Sequence, residues 1–338
     1  MEPYYYQQMS RQHQKIYQEM LRGLESLADS FEVSRAEGPE LADVFYKLRL
    51  DHPEMFYAAN YKYSYYPDSN NLQMKPEYLF DKGKIKDHQK AMKARVEKLA
   101  REAKEKNDWE KELYIHDFIC EHVTYDKLKK QYSHEIIGPL GQGVGVCEGI
   151  AKSVKILCDA LSIPCIVVIS ENNPEKGLKY RHAWNVLKVQ GKWYHLDATF
   201  DNTLGKGEQR YDYFNLSDKQ MFRDHEPVIW KVPDCVDDEH FYYREKKMSF
   251  TKMEDVKKRS LQAIKKDRIL TFHWRGGYLT KTVLEEILQL ISEAAKEKER
   301  HCLISVNWPQ AVISVRFAKE QPRDLVTMEN AYAEENPD

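Results

Sequence analysis

The sequence predicts an α+β fold with a cysteine at the start of one helix. Three observations predict it. Apolar residues recur at three- and four-residue spacing in several stretches, strand-forming residues flank a turn in others, and a glycine-rich loop runs straight into one helical stripe at Cys147. At 338 residues and about 150 residues per domain, the chain has room for two or more domains and a sizeable core. Its 52 Lys+Arg against 54 Asp+Glu leave a formal charge of −2, so a polyanionic or nucleic-acid partner is not expected. Hydrophobic content of 42%, with only 14 Gly and 13 Pro, suits a folded globular chain.

Taken in order, Leu21, Leu24, Leu27 and Phe31, then Leu41, Val44, Phe45 and Leu48, predict two helices split by Glu37-Gly38-Pro39. Phe56 to Phe80 alternates aromatic and polar residues around Pro67-Asp68-Ser69-Asn70-Asn71 and predicts a hairpin, completing an N-terminal region over 1–84. From Ile85 to about His122 the Lys-, Glu- and Ala-rich run, with Val96, Leu99, Leu113, Ile115, Phe118 and Ile119, predicts long helices with a solvated charged face. These lead into a core spanning 85–235. After Pro227 the chain becomes linker-like, and the remainder, 236–338, holds a strand at Ile269 to Trp274, a helix at Lys281 to Lys298 and two strands within Cys302 to Phe317. That makes a small C-terminal β-α-β-β domain. The polar tail AYAEENPD is expected to fray.

The N-terminus lacks the basic and apolar regions of a signal peptide, and no stretch approaches about 18 continuous apolar residues. As written, the chain is expected in the cytoplasm without a membrane segment, secretion being reserved for the case of a signal peptide already removed. The six cysteines form no C-x-x-C pair, so zinc-knuckle and thioredoxin-type motifs are absent and each thiol is judged alone.

Cys147 stands apart. Gly141, Gly143 and Gly145 precede it, and Ile150, Val154, Leu157 and Leu161 follow it as a helical stripe, which puts the thiol where a flexible loop becomes a helix N-terminus. The unpartnered N–H groups and the positive end of the helix dipole there both favour a thiolate. The plainer alternative is a small buried hydrophobe, the reading given to Cys120, Cys158, Cys165 and Cys302.

Residues 181–201 suggest two strands joined at Gln190-Gly191. With that two-residue loop Val189 faces Lys192, Trp184 faces Asp197 and His182 faces Thr199, so His182 and Asp197 share a sheet face as diagonal neighbours. A three-residue loop would put them on opposite faces. A cysteine at a helix N-terminus plus a histidine held by a carboxylate supplies what thiol catalysis needs: His182 takes the thiol proton and later protonates a leaving amine, while Asp197 orients the ring. His195 shares the predicted face, which leaves a two-His, one-carboxylate metal site of His182, His195 and Asp197 as a second reading.

The stretches GVCEGIAKSVKILCDALSIPC, HAWNVLKVQGKWYHLDATFD and YFNLSD, with the lead-in HDFICEHVTYD, resemble the transglutaminase-like superfamily of bacterial proteins, over roughly residues 112–226. His182 follows Cys147 by 35 positions and Asp197 follows His182 by 15, gaps compatible with that family. The resemblance implies a papain-like core with Cys147 as nucleophile, His182 as base and Asp197 as orienting acid. It also points to Gln142 as an oxyanion-hole side chain, with the backbone N–H of Cys147 as the other donor. Phe200 stands where relatives often carry Trp. Trp184 either walls the substrate cleft or packs, and the 202–213 loop and the flanking regions are where selectivity is expected.

The implied chemistry is thiol-dependent acyl transfer on protein or peptide amide bonds through a thioester, resolved by water in a cysteine peptidase or amidase and by an amine in a cross-linking enzyme. Calcium-binding loops are not evident, so neither a metal nor another cofactor is expected. The alternative from another class is a non-catalytic scaffold that holds peptides in the same cleft.

Overall fold

A computed structural model describes residues 2–176, 178, 180–205 and 208–320; the tail expected to fray lies outside them. The chain divides between His240 and Phe241 into two compact units. It is a mixed α+β protein with several antiparallel sheets.

The first unit opens with α1 (Tyr4–Gln8), α2 (Arg11–Glu25), β1 (Phe31–Ser34), α3 (Gly38–Asp51), β2 (Ala58–Ser64) and β3 (Asn71–Tyr78). β2 and β3 pair antiparallel across the expected turn, and β1 adds to the other side of β3 in the order β1-β3-β2. The strand β1 was hidden because Phe31 continues the spacing of the preceding leucines. The helix in fact stops earlier: Leu27 takes φ 52° while Ala28 N–H donates to the Gly23 carbonyl at 3.1 Å and Leu27 N–H to that of Leu24 at 3.0 Å, a left-handed helix stop. The chain then returns Phe31 onto the face it left, so close that a Cβ on Gly23 would lie 2.3 Å from the ring.

Next come α4 (Lys82–Ala103) and α5 (Asp108–His122), whose Asn107 and Glu110 form a reciprocal capping box. A short parallel pair, β4 (Thr124–Tyr125) with β5 (Val144–Gly145), precedes α6 (Cys147–Ala160). The core sheet follows as β6 (Cys165–Ile169), β7 (Ala183–Val189), β8 (Lys192–Leu196) and β9 (Phe214–Leu216), antiparallel and in sequence order, with α7 (Ala198–Gly205) between β8 and β9 and α8 (Asp218–Met221) after β9. β6 is buried along its whole length and β7 nearly so, because α6 covers one face: Ile150, Val154 and Leu157 of α6 are at most 1% exposed. Each such aliphatic contributes about 1.5–3 kcal/mol. One polar bond fixes the helix to the sheet, Asn185 Nδ2 donating to the Ala151 carbonyl at 2.9 Å. The N-terminal segment is tied in as well, since the buried Tyr5 hydroxyl donates to the Val167 carbonyl of β6 at 2.7 Å.

The second unit contains α9 (Tyr242–Glu245), β10 (Ser249–Phe250), α10 (Met253–Lys265), β11 (Leu270–Trp274), α11 (Lys281–Glu297), β12 (His301–Asn307) and β13 (Val312–Ala318). Its sheet runs β10-β11-β13-β12, with β10 parallel to β11 and the rest antiparallel. Phe250, Phe272, Ile287, Ile291, Ile313 and Val315 form its core. To the expected β-α-β-β order the structure adds β10 and α10. The buried positions of α10 are Val256, Ser260, Ala263 and Ile264, too small and too polar to stand out as an apolar stripe.

Candidate active site

α6 begins at Cys147, with Val146 as its N-cap residue and no side chain capping the first turn. The thiol is therefore at a helix N-terminus, half-buried, beside backbone N–H groups that have no intrahelical acceptor. The loop before it, expected to be flexible, is pinned. Thr124 N–H donates to the Gly143 carbonyl at 2.8 Å, Asp126 N–H to that of Gly145 at 3.0 Å, and Val146 N–H to that of Ser133 at 3.0 Å. Gly143 takes φ 68°, a turn conformation that favours glycine. Gly149 lets the first turn of α6 lie on the Ser133 carbonyl, which would sit 2.2 Å from an added Cβ. Gly149→Ala is expected to destabilise the protein by about 1–3 kcal/mol and to slow alkylation of Cys147, read by thermal melting and thiol labelling; an unchanged melting temperature would refute the close fit.

A buried ion network starts at Glu148, the residue after Cys147. Lys152, 0% exposed, reaches Glu148 at 2.7 Å and Glu135 at 2.9 Å, and Arg49 pairs with Glu135. A cavity of about 170 Å³ opens among Arg49, Ala59, His134, Glu135 and Glu148, so residues from α3 and β2 help to line the space beside the residue that follows Cys147.

The hairpin β7–β8 turns at Gln190 (φ 48°) and Gly191 (φ 87°) with Val189 paired to Lys192 and Asn185 to Leu196. Two positive φ values in a two-residue loop match the strand twist, and the register brings His182 and Asp197 to one face at the open end. His182 Nε2 lies 2.6 Å from Asp197 Oδ2. His182 is anchored at both backbone groups: its carbonyl accepts Ser170 N–H at 2.9 Å and its N–H donates to Ser170 Oγ at 3.2 Å. Asp197 is 0% exposed, and its Oδ1 accepts the N–H groups of Thr199 at 2.9 Å and Phe200 at 3.0 Å, so the carboxylate also caps α7.

Cys147 lies close enough to the His182 ring to act on its charge. Burial works against charging that ring, but the Asp197 carboxylate and Cys147 outweigh it, and the proton affinity of His182 is pushed up to about 10. Burial likewise works against the Asp197 carboxylate, yet the charge and hydrogen bond of His182 and the hydrogen bond of His225 hold it well below the usual range.

Other expected participants fall elsewhere. Trp184 is 1% exposed and does not wall an open cleft; it stacks on His182 at 5.7 Å between centroids. Its Nε1–H donates to His195 Nδ1 at 2.9 Å while His195 Nε2 faces Asp218 Oδ1 at 2.8 Å, so both nitrogens of His195 are committed and the set of His182, His195 and Asp197 is not assembled. Gln142 ends the turn Ile137–Gln142 with its side chain exposed. Residues 206 and 207 of the 202–213 stretch lie outside the described residues. Cys158, Cys165 and Cys235 are buried, but Cys120 and Cys302 are only half-buried; Cys120 Sγ lies 3.6 Å from His116 Nε2, one helical turn away, rather than in an apolar core.

Two neighbours went unnoticed in the sequence. Tyr125, on β4 opposite Gly145, is close enough to feel the charges of Cys147 and Asp197; burial first, then those groups, pushes its hydroxyl up to about 12, so it stays a donor. The other is His225, whose Nε2 lies 2.9 Å from Asp197 Oδ2. His182, Asp197 and His225 converge closely enough to invite a metal, but the fit is poor. Two ligands about 2.0 Å from a tetrahedral zinc stand about 3.3 Å apart, whereas here the nitrogen–oxygen separations are 2.6 and 2.9 Å, the spacing of a shared proton.

Residues 93–198 match the family model of the transglutaminase-like superfamily, a span that includes Cys147, His182 and Asp197. The chain carries a transglutaminase-like core. No curated protein matches it. Among solved structures, it is 18% identical to a Cytophaga hutchinsonii protein provisionally described as a cysteine protease, over 42% of this chain and 62% of that one at a TM-score of 0.27. It is 13% identical to a protein described as a TGase, over 49% and 48% at a TM-score of 0.28. A Parabacteroides distasonis protein provisionally described as a protease is 17% identical over 42% and 37%, with a TM-score of 0.26. The chain thus spans less than two thirds of the length of each. No described helix is long and apolar enough to cross a membrane.

Proposed function

We propose that this transglutaminase-like protein performs thiol-dependent acyl transfer on amide bonds of proteins or peptides. The observation that carries the reading is the His182 ring held 2.6 Å from the Asp197 carboxylate and close enough to Cys147 for the two to act on each other's charge. Because Nε2 is bound to Asp197, Nδ1 is the nitrogen left for the thiol. His182 takes the thiol proton and holds it as an imidazolium stabilised by Asp197. Sγ attacks the amide carbonyl carbon, and the carbonyl oxygen gains the negative charge. The backbone N–H of Cys147 is the donor placed to receive it, with Gln142 offered as a second. As the C–N bond breaks, His182 gives its proton to the departing amine, leaving a thioester. Water or a second amine then attacks the thioester, losing its proton to His182, and the product leaves as the thiol reforms.

Iodoacetamide near neutral pH tests the nucleophile. Cys147 is expected to react at least about tenfold faster than the other cysteines, with His182→Ala removing that advantage, since the thiolate then loses its cationic partner. Mass-spectrometric mapping separates Cys147 from the half-buried Cys120. Equal rates would leave a binding scaffold as the better description. Incubation with casein and a labelled primary amine then divides the two outcomes of the thioester: incorporated label means transfer to an amine, and shortened peptides without label mean hydrolysis.

A further inference from the structure

His225 takes no part in the proton transfers described above, yet it is built into the same carboxylate. Its side chain is 1% exposed. Nε2 lies 2.9 Å from Asp197 Oδ2, the oxygen that also faces His182 Nε2, and Nδ1 lies 2.8 Å from Asp224 Oδ1. The other oxygen of Asp224 accepts the Tyr213 hydroxyl at 2.6 Å. Phe200, Trp184 and Tyr213 enclose the ring at centroid distances of 4.5, 5.2 and 5.3 Å.

An ionised carboxylate only accepts hydrogen bonds. A ring with a carboxylate oxygen at each nitrogen therefore needs a proton on both, which makes His225 an imidazolium. Its raised proton affinity is consistent with this, burial being outweighed by the hydrogen bonds to Asp197 and Asp224. The site then holds two imidazolium rings, His182 and His225, 5.4 Å apart between centroids and sharing one oxygen of Asp197.

We propose that His225 is a positioning residue that clamps Asp197 between Asp224 and His182 and, through its charge, limits how tightly His182 holds its proton. Its role in turnover rests on the nucleophile reading above, but the ionisation does not. With Asp197 alone, His182 would bind its proton more firmly. The second cation offsets part of that attraction. Facing His225 are two anions, Asp197 and Asp224, one cation, His182, the hydroxyl of Tyr213 bonded to Asp224, and His195. His195 is kept neutral, because burial lowers its proton affinity and Trp184 donates to its Nδ1. Removing the charge of His225 thus leaves a site whose net change acts on His182 in one direction.

The test is a titration of the full chain, ¹⁵N-labelled at histidine, with His182 identified by the resonance missing from His182→Gln. In His225→Gln the amide still donates to Asp197, so the change reports lost charge. The His182 midpoint is expected to rise by about 0.5–1.5 pH units, the size of a unit charge at this range in a partly screened site. Asp224→Asn, which deprives His225 of one carboxylate, is expected to lower the His225 midpoint. A His182 midpoint unmoved or lowered in His225→Gln with a native circular dichroism spectrum overturns the proposal. If that variant does not fold, an unmoved His225 midpoint in Asp224→Asn does the same. The titration needs no substrate: rapid alkylation of Cys147 with no shift in His182 sinks the tuning alone, and a shift without rapid alkylation sinks the nucleophile reading alone.

Discussion

Cys147→Ser is expected to lower kcat/KM for amide substrates by about 10⁴- to 10⁶-fold, the range seen when one member of a nucleophile–base pair is removed. At about 1.36 kcal/mol per tenfold, that is the largest single effect foreseen for this chain. The reason is the proton. A hydroxyl is a far weaker acid than a thiol, so every attack by the serine variant is expected to start from a neutral and poorer nucleophile. Folding is expected to be nearly unaffected, because the position is half-buried at the first residue of α6 and the exchange of sulfur for oxygen leaves the helix contacts in place. The check is a paired measurement of melting temperature and turnover, using amine incorporation or peptide release as appropriate. A serine variant that keeps more than about 1% of wild-type turnover would remove Cys147 from the reaction.

Asp197 carries the second large effect, on both activity and stability. Its Oδ1 accepts two backbone N–H groups at the start of α7, and its Oδ2 faces His182 and His225. Asp197→Ala strips all four and leaves the half-buried His182 ring and the buried His225 ring without their shared anion. A loss of about 3–5 kcal/mol is expected, as for other buried charges deprived of a partner. Asp197→Asn keeps the helix cap but points an NH₂ at two ring N–H groups, and a fall in turnover of about 10²- to 10⁴-fold is expected, because the ring loses its orientation and its stabilising charge.

The pH dependence follows from the same pair. Asp197 is held below the usual carboxylate range, so its contribution is fully present above about pH 4 and is lost as pH falls toward its folded value. His182 is pushed up to about 10; its contribution is complete below about pH 6.5 and is lost as pH rises toward 10. Urea midpoints from pH 3 to 10 should therefore decline on both sides of the mildly acidic range. Both slopes should be shallower in Asp197→Asn. Identical slopes in the two proteins would mean that the pair does not titrate as described.

How far the sequence reached is clearest in the β7–β8 hairpin. A two-residue turn at Gln190-Gly191 fixes parity, because side chains alternate along a strand, and parity alone puts His182 and Asp197 on one face. The last step was beyond that argument. The ladder ends at Leu196, and Asp197 meets His182 because its backbone leaves the strand to start α7 and its other oxygen caps that helix. The junction of Cys147 with α6 was likewise legible from three glycines followed by a stripe. That the loop is rigid was not, since its rigidity comes from hydrogen bonds to Thr124, Asp126 and Ser133, well separated in sequence from it. The helix α10 and the strand β1 were missed for opposite reasons, the one showing too little apolar contrast and the other mimicking its neighbour's spacing.

His225 marks the limit most sharply. It lies 28 positions beyond Asp197, in a segment with no helical or strand period to orient it, and among 12 histidines nothing local sets it apart. Local periodicity, turn chemistry and a glycine-led helix start were enough to put Cys147 at the first residue of a helix and His182 and Asp197 on one sheet face, because each of those relations is set by backbone geometry over a few residues. The surroundings of that trio were decided only by tertiary packing. The second imidazole, the buried Lys152 network and the burial of Trp184 depend on which distant segments exclude water from one another, and a buried charge finds its partner through that exclusion rather than through spacing along the chain.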